Sequence, residues 1–180
     1  QAYHTAKATD SASAATAWAT GYKTDDGNLA WLPGDPDQGG NRNNDGSLKT
    51  IAEWLRELKG YAIGVVSTVP FTHATPAAHV SHNKSRNCYH VGSNSVCTKG
   101  IDAEILTEVK PEVVIGGGHP GYDGTPTFNY ISNTVYNAFK TGAYSSEYVF
   151  VERAAAVDGG LALLQAAQQA VAGGKKLFGL

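Results

Sequence analysis

The most restrictive feature of this sequence is the alternation of amphipathic helices with short apolar strands. Apolar side chains recur three and four positions apart in residues 47–59, which predicts a helix with one apolar face, capped by Ser47 and ended by Gly60. Residues 61–68 follow immediately as an apolar run that is typical of a buried strand, and residues 112–115 form a second one. Strands that alternate with helices favour a sheet whose strands run parallel.

The rest of the chain continues the alternation. We predict further helices over residues 10–20, 75–87, 101–109, 128–141 and 161–172, and further strands over 148–151 and 175–180. This order is typical of the α/β class, and we expect a three-layer sandwich in which helices flank a central, largely parallel sheet. Residues 1–180 are expected to form a single α/β domain. Sites in such sheets lie beyond the carboxyl ends of the strands, where the loops at 68–75 and 116–122 fall.

Composition excludes several classes of partner. The net charge is −2, so no general attraction to nucleic acid or to acidic membranes is expected. No apolar run approaches the roughly 18 residues that suggest a membrane span. Cys88 and Cys97 lack the spacing of a zinc site, and we expect a disulfide that closes a small loop, with two free thiols as the alternative. A disulfide would fit an exported protein.

Ser11 stands at the predicted start of the first helix, which ends before Gly21. Backbone N–H groups point outward at a helix N-terminus and favour an anion such as phosphate. A serine needs a base or a metal before it can act as a nucleophile. The alternative is that Asp10 or Ser11 is only a helix cap. Residues 23–44, dense in Gly, Asp, Asn and Pro, are predicted to be a loop long enough to serve a function.

A second group of polar residues lies in and before the helix predicted over 75–87. On that helix His79, His82 and Arg86 would share one face, and the planar guanidinium of Arg86 matches phosphate oxygens. The alternatives are structural roles for His79, His82 and His90, and a surface salt bridge for Arg86. Residues 116–118 (GGG) follow a strand and could cradle a phosphate or form a structural turn.

Six short segments, taken in order, resemble the alkaline phosphatases. They are residues 10–16 (DSASAAT), 16–24 (TAWATGYKT), 66–68 (VST), 74–78 (ATPAA), 85–89 (SRNCY) and 116–118 (GGG). The first looks like the nucleophile signature of that family, an Asp-Ser pair followed by small residues and Thr. The resemblance implies hydrolysis of phosphate monoesters through a phosphoserine intermediate, assisted by two zinc ions and one magnesium ion.

The resemblance also assigns roles to five residues. Ser11 would be the nucleophile and a zinc ligand, and Arg86 would bind two nonbridging phosphate oxygens while Asp10 orients it. Thr75 would be a ligand in the third, magnesium-type site, with His73 at the position where some bacterial members of the family carry Asp. A neutral imidazole is a poorer partner than a carboxylate for hydrated magnesium, so we expect weak magnesium binding there.

The resemblance further implies small phosphate monoesters and inorganic phosphate as ligands, a homodimer, and a periplasmic or secreted location. After Val151 the only acidic residues are Glu152 and Asp158, and no histidine follows. Because the family's remaining metal ligands are Asp, His and Glu, we expect the chain to be the N-terminal-to-middle part of a larger catalytic domain. Two alternatives stay open: a phosphodiesterase or sulfatase of the same superfamily, and a phosphate-binding segment without catalysis.

Overall fold

Four parallel strands form one sheet at the centre of the structure, a computed structural model that describes residues 8–34, 46–121 and 124–180. The strands are β1 (Gly64–Pro70), β2 (Val113–Gly117), β3 (Tyr148–Val151) and β4 (Lys176–Gly179). Their order in the sheet is β1-β2-β4-β3, and every neighbouring pair is parallel. The predicted parallel sheet is therefore confirmed.

Six helices accompany the sheet within the described residues. They are α1 (Ser11–Thr20), α2 (Ile51–Lys59), α3 (Ala74–Ala77), α4 (Ile101–Ala103, continued by the π-helical segment Glu104–Val109), α5 (Asn133–Lys140) and α6 (Gly159–Gly173). The helix predicted over 128–141 begins only at Asn133, because Ser132 caps it by accepting a hydrogen bond from the N–H of Val135. Residues 35–44 of the predicted long loop lie outside the described residues.

The two faces of the sheet carry two separate apolar clusters. Val114 and Phe178 point into the larger cluster, which contains α1, α3 and α4 side chains. Their chain neighbours Ile115 and Leu177 point the opposite way, against Ala166 and others of α6. Successive side chains of a strand alternate between faces, so helices cover both sides of the sheet. The expected three-layer α/β sandwich is confirmed.

Helix α2 begins four residues later than predicted. The Thr50 side chain accepts a hydrogen bond from the N–H of Glu53 at 3.2 Å, and the Glu53 carboxylate accepts from the N–H of Thr50 at 2.9 Å. This reciprocal pair is a capping box, which fixes the helix start after Thr50. Ser47 instead pairs with Trp31 in an isolated antiparallel bridge, so its predicted role as the cap was wrong.

Most of the apolar face of α2 stays outside the described core, and only Ala52 of the helix packs against the main apolar cluster of the described residues. Ile51 and Leu58 are 54% and 68% exposed, and Trp18 of α1 is 75% exposed. Arg56 ties α2 to the segment before β2, because its Nη2 donates to the Lys110 carbonyl at 3.1 Å and to Glu112 at 2.8 Å. The periodicity therefore predicted the helix correctly. Within the described residues, however, the C-terminal part of α2 is held by the polar contacts of Arg56.

The helix predicted over 75–87 was wrong beyond its first turn. Only Ala74–Ala77 is α-helical, and the chain then leaves the helix to pair Asn83 with Leu29. The two backbone hydrogen bonds of that pair measure 2.8 and 2.9 Å. Because the N–H and C=O groups of Asn83 are hydrogen-bonded to Leu29, they are not available to a helix. His79, His82 and Arg86 therefore do not share a helical face.

Two further expectations concern the disulfide and the glycines at residues 116–118. Cys88 and Cys97 form the expected disulfide. The glycines at 116 and 117 lie within β2, and a Cβ added to Gly116 would come within 2.9 Å of Phe71. The glycine at this position is required by the close approach of Phe71, which supports the structural interpretation over a phosphate cradle.

His82 lies buried between two carboxylates from different elements. Its Nδ1 is 2.9 Å from Glu104 and its Nε2 is 3.1 Å from Glu53, the same residue that completes the capping box. Burial alone would lower the pKa of His82, but these two carboxylates raise it to about 9. The imidazolium therefore joins α2, α4 and the segment at residue 82 through charge, and the structural role is confirmed for this histidine.

We predict that His82→Gln lowers the free energy of unfolding by about 3 kcal/mol at neutral pH, because it removes the buried cation that pairs with both Glu104 and Glu53 and leaves only the partly exposed Lys99 among the described cations that pair with Glu104. Urea denaturation measures the change. His79→Gln is the matched control, since within the part of the chain that the structure describes the His79 ring bonds only the Thr75 carbonyl of its own turn. We expect that control to stay within about 0.5 kcal/mol of the parent.

The difference between parent and His82→Gln should also depend on pH. The folded pKa is raised above the ordinary 6.5, so the stabilisation is fully present below pH 6.5 and is lost as pH rises through about 9. Urea titrations across this window should show the difference shrinking. A difference that stays constant across the window would contradict the charged interpretation of His82.

Candidate active site

Asp10 caps the N-terminus of α1. Its Oδ2 accepts hydrogen bonds from the backbone N–H groups of Ala12 at 2.9 Å and Ser13 at 3.3 Å. The helix then runs from Ser11 to Thr20 and ends at Gly21, as predicted. Asp10 is thus the cap, and Ser11 is the first helical residue, exposed beside the outward-pointing N–H groups of the first turn. The alternative that Ser11 is itself the cap was wrong.

Arg86 reaches back to this helix start across 75 residues of sequence. Its Nη1 donates to Asp10 Oδ1, in an ion pair, and to Ser11 Oγ at 2.6 Å. Both hydrogen bonds that link the guanidinium to the described residues leave from this one nitrogen. The Arg86 side chain is 27% exposed, so it is only partly enclosed by the protein.

Gly27 adds a loop to this cluster that the sequence analysis did not assign to it. Its N–H donates to Asp10 Oδ2 at 3.1 Å, and its carbonyl accepts from the N–H of Arg86 at 2.8 Å. The signal available in the sequence was the run from 25 to 28 (DDGN), which is typical of a tight turn. Such a run predicts the turn but not the residues that the turn contacts.

The carboxylate of Asp10 is kept ionised by its surroundings. Partial burial alone would raise its pKa, but the guanidinium of Arg86 and the N–H groups of Gly27, Ala12 and Ser13 together lower it below the ordinary value. A charge-assisted hydrogen bond is stronger and more directional than a neutral one. The ionised carboxylate therefore fixes both the helix start and the guanidinium against it.

His73 follows β1 at the carboxyl end of the sheet, in the predicted loop at 68–75. Its ring stacks on Tyr89, with centroids 5.7 Å apart, and meets the edge of Tyr130 at 5.0 Å. Burial and the positive charge of Arg86 lower the pKa of His73, which favours the neutral imidazole. Thr75 is an exposed residue of α3, and α3 packs against α1.

The structure therefore joins three of the five predicted site residues by hydrogen bonds: Asp10, Ser11 and Arg86. His73 lies within the electrostatic reach of Arg86, and Thr75 lies on the neighbouring helix α3. Tyr89 and Tyr130, whose rings hold His73, were not among the predicted site residues. An isolated tyrosine carries no sequence signal for such a contact.

The described residues do not by themselves make a zinc site. They contain no group of three or more His, Cys, Asp or Glu side chains placed to hold one ion. Zinc usually takes four such ligands, and a serine hydroxyl such as that of Ser11 is at most one of them. Thr75 offers a hydroxyl oxygen of the kind magnesium prefers, with the imidazole of His73 two residues earlier.

Comparison with known proteins decides the family. The sequence profile described as alkaline phosphatase matches residues 2–152. The chain belongs to the alkaline phosphatase family. It is 39% identical over 116 residues to alkaline phosphatase 3 of Bacillus subtilis, a match that covers 64% of this chain and 22% of that protein. It is 33% identical over 127 residues to the streptomycin-6-phosphate phosphatase of Streptomyces griseus, covering 66% and 26%.

Solved structures agree with the family. The cold-active alkaline phosphatase from the psychrophile Shewanella sp. superposes with a TM-score of 0.62 at 27% identity, over 96% of this chain and 32% of that one. The chain thus spans about a quarter of the length of the curated alkaline phosphatase relatives described above. Within residues 8–34, 46–121 and 124–180, no helix combines the length and apolar character that crossing a bilayer requires.

We predict that Asp10→Ala costs about 3 kcal/mol of unfolding free energy, because it removes a helix cap and also the partner of Arg86. Asp158→Ala is the matched control. Asp158 caps α6 through the N–H groups of Gly160 and Leu161, but it is exposed and is a partner in none of the described ion pairs. Its loss should cost about 1 kcal/mol.

Chemical denaturation of both variants beside the parent measures the two losses. The additional loss of unfolding free energy in Asp10→Ala, compared with Asp158→Ala, represents the contacts that the Asp10 carboxylate makes beyond its own helix. Equal losses in the two variants would show that Asp10 is a helix cap and nothing more.

Proposed function

We propose that this protein hydrolyses phosphate monoesters through a covalent phosphoserine at Ser11. The observation that carries the proposal is the contact of one Arg86 nitrogen with both Asp10 and Ser11 at the start of α1. It brings an exposed hydroxyl, a cation and a helix N-terminus to one point. Each of these favours the binding of a phosphate dianion.

Ser11 is the nucleophile in this proposal. Its Oγ accepts a hydrogen bond from a guanidinium, and such a bond stabilises the oxygen as negative charge develops on it. The Ser11 Oγ–phosphorus bond forms as the ester P–O bond breaks, and the leaving alcohol carries away the proton. Water then attacks the phosphoserine, which restores the Ser11 hydroxyl and releases inorganic phosphate.

Arg86 binds the phosphate through the edge of its guanidinium that faces away from Asp10. A planar guanidinium can donate to two oxygens at once, which orients the phosphorus toward Ser11. Asp10 does not contact the substrate in this arrangement. It fixes the guanidinium, because the ionised carboxylate holds one of its nitrogens in place.

Two zinc ions and one magnesium ion belong to the proposal as cofactors. When bound, they would lower the pKa of the attacking hydroxyl and of the hydrolytic water, and would neutralise charge on the phosphoryl group. Of this chain's own residues, Ser11 would hold zinc, and Thr75 and His73 would contribute to the magnesium-type site. Further ligands are needed in addition to the residues described.

The membership of the family favours monoesters over the diester and sulfate substrates of related enzymes. Small phosphate monoesters and inorganic phosphate are accordingly the proposed ligands, and a homodimer the proposed assembly. The Cys88–Cys97 disulfide supports a periplasmic or secreted location, since such bonds persist in oxidising compartments.

We predict that the intact protein, quenched during turnover of a phosphate monoester, carries one phosphoryl group on Ser11. Peptide mass spectrometry locates it. Ser11→Ala should abolish the modification and lower turnover at least about 10³-fold, because the nucleophile is gone. Ser13→Ala is the control, since the only partner of the buried Ser13 hydroxyl among the described residues is the Asp10 carbonyl of the same helix turn, at 3.1 Å.

A phosphoryl group found elsewhere, or full turnover in Ser11→Ala, would contradict the proposed mechanism. A protein that binds phosphate but neither becomes phosphorylated nor turns over any ester would support the non-catalytic alternative instead.

His73→Asp should increase the affinity of the metal-stripped protein for magnesium about tenfold, because a carboxylate is the harder ligand. Calorimetric titration with magnesium measures the affinity independently of activity. His79→Asp adds the same charge to the same stretch of chain, outside the His73–Tyr89–Tyr130 ring cluster, and is the control. Equal affinities in the parent and in His73→Asp would show that His73 does not face the magnesium-type site.

A further inference from the structure

The turn at residues 25–28 uses both backbone groups of one glycine to reach the candidate active site. The turn is closed by the N–H of Asn28, which donates to the Asp25 carbonyl at 3.2 Å. Gly27 directs its N–H to the carboxylate of Asp10 and its carbonyl to the N–H of Arg86. No other described residue makes backbone hydrogen bonds to both of these site residues.

These contacts form a closed ring. It runs from the Asp10 carboxylate to the Gly27 N–H, from the Gly27 carbonyl to the Arg86 N–H, and from the Arg86 guanidinium back to Asp10. Each member of a closed ring constrains the other two, so the position of the guanidinium depends on the position of this peptide unit. Without Gly27, Arg86 would be held to Asp10 through its long and flexible side chain alone.

The residues that end and follow this turn are anchored to two other parts of the fold. Thr16, in the middle of α1, donates its hydroxyl to the Asn28 carbonyl at 2.9 Å and accepts from the N–H of Ala30 at 2.9 Å. The pairing of Leu29 with Asn83 fixes the same turn to the segment that leads to Arg86. Gly27 thus directly precedes a stretch that is fixed both to α1 and to the segment before Arg86, so a change in its backbone is transmitted to the site rather than absorbed by the loop.

Glycine is required here by conformation and not by space. The φ of Gly27 is +88°, in the left-handed region that other L-residues rarely adopt. A Cβ added to Gly27 would meet no atom within 4 Å. A substitution therefore strains or shifts the peptide unit without introducing a clash.

We infer that Gly27 is a positioning residue for phosphate binding, acting through Asp10 and Arg86. The inference rests on the proposed function, because it assumes that Arg86 is the residue that binds phosphate. Gly27 does not touch the substrate. Its role is to hold the guanidinium at the distance and angle at which two phosphate oxygens are bound beside Ser11.

The test compares Gly27→Ala with Gly21→Ala in the intact protein. Gly21 ends the same helix α1 with a φ of +80° and equally open space around its Cβ position, but it lies at the end of α1 away from Asp10. We expect both variants to lose similar stability in urea. Inorganic phosphate, measured as a competitive inhibitor, should bind about tenfold more weakly to Gly27→Ala and within about twofold of the parent to Gly21→Ala.

The inhibition constant separates positioning from misfolding, because a misfolded fraction lowers the apparent kcat without changing the affinity of the folded molecules. Gly27→Asn should recover most of the phosphate affinity, since asparagine tolerates the left-handed region. Equal phosphate affinities in Gly27→Ala and Gly21→Ala would overturn the inference.

A second measurement keeps the inference separate from the proposed function. If the unmodified protein neither binds phosphate nor hydrolyses esters, the proposed function fails, and the ring is tested by stability alone. The unfolding free energies of Gly27→Ala, Asp10→Asn and the double variant form a double-mutant cycle. Non-additive losses support the ring, and additive losses overturn it.

Discussion

The ionised carboxylate of Asp10 is the interaction on which the rest of this site depends. It accepts hydrogen bonds from the N–H groups of Ala12, Ser13 and Gly27 and forms an ion pair with Arg86. One side chain thus begins a helix, closes a loop and fixes a guanidinium from a distant part of the sequence. The local contacts would form in any capped helix, whereas the last two create the site. The charge of Asp10 both caps α1 and holds Gly27 and Arg86. Because Ser11 is the first residue of α1, the cap that begins the helix also places Ser11 beside Arg86.

Residue patterns predicted the elements well wherever local interactions decide them. The limits of α1 followed from Asp10 and Gly21, and the parallel sheet followed from the alternation of helices and strands. The helix predicted from residue spacing over 75–87 was wrong, because the backbone of Asn83 pairs with that of Leu29, which is far away in the sequence. The joining of Asp10 and Arg86 came from resemblance to a family and not from periodicity. Neither periodicity nor the family resemblance predicted the role of Gly27, because it contacts the site through its backbone N–H and C=O groups, which nearly every residue has.

Two histidines on one short stretch of chain illustrate how surroundings separate structural from functional residues. His82 is enclosed by Glu53 and Glu104, and these carboxylates raise its pKa although burial opposes them. His73 is half-buried between aromatic rings near a cation, and both burial and that cation lower its pKa. The charged histidine is an interior ion-pair partner, while the neutral one keeps a nitrogen lone pair that a metal or a substrate can use. Their sequence neighbourhoods do not distinguish them; their neighbours in space do.

The strand order β1-β2-β4-β3 has a consequence for the way the chain assembles as it is synthesised. β4 is the last of the four described strands in the sequence, yet it lies between β2 and β3 and is hydrogen-bonded to both. Until β4 has left the ribosome, β3 has no partner among the four described strands, and β2 is paired only with β1 among them. Long-range parallel pairing of this kind is slow to form. The residues around Ser11 precede that step, so the candidate active site can begin to form before β4 joins β2 and β3.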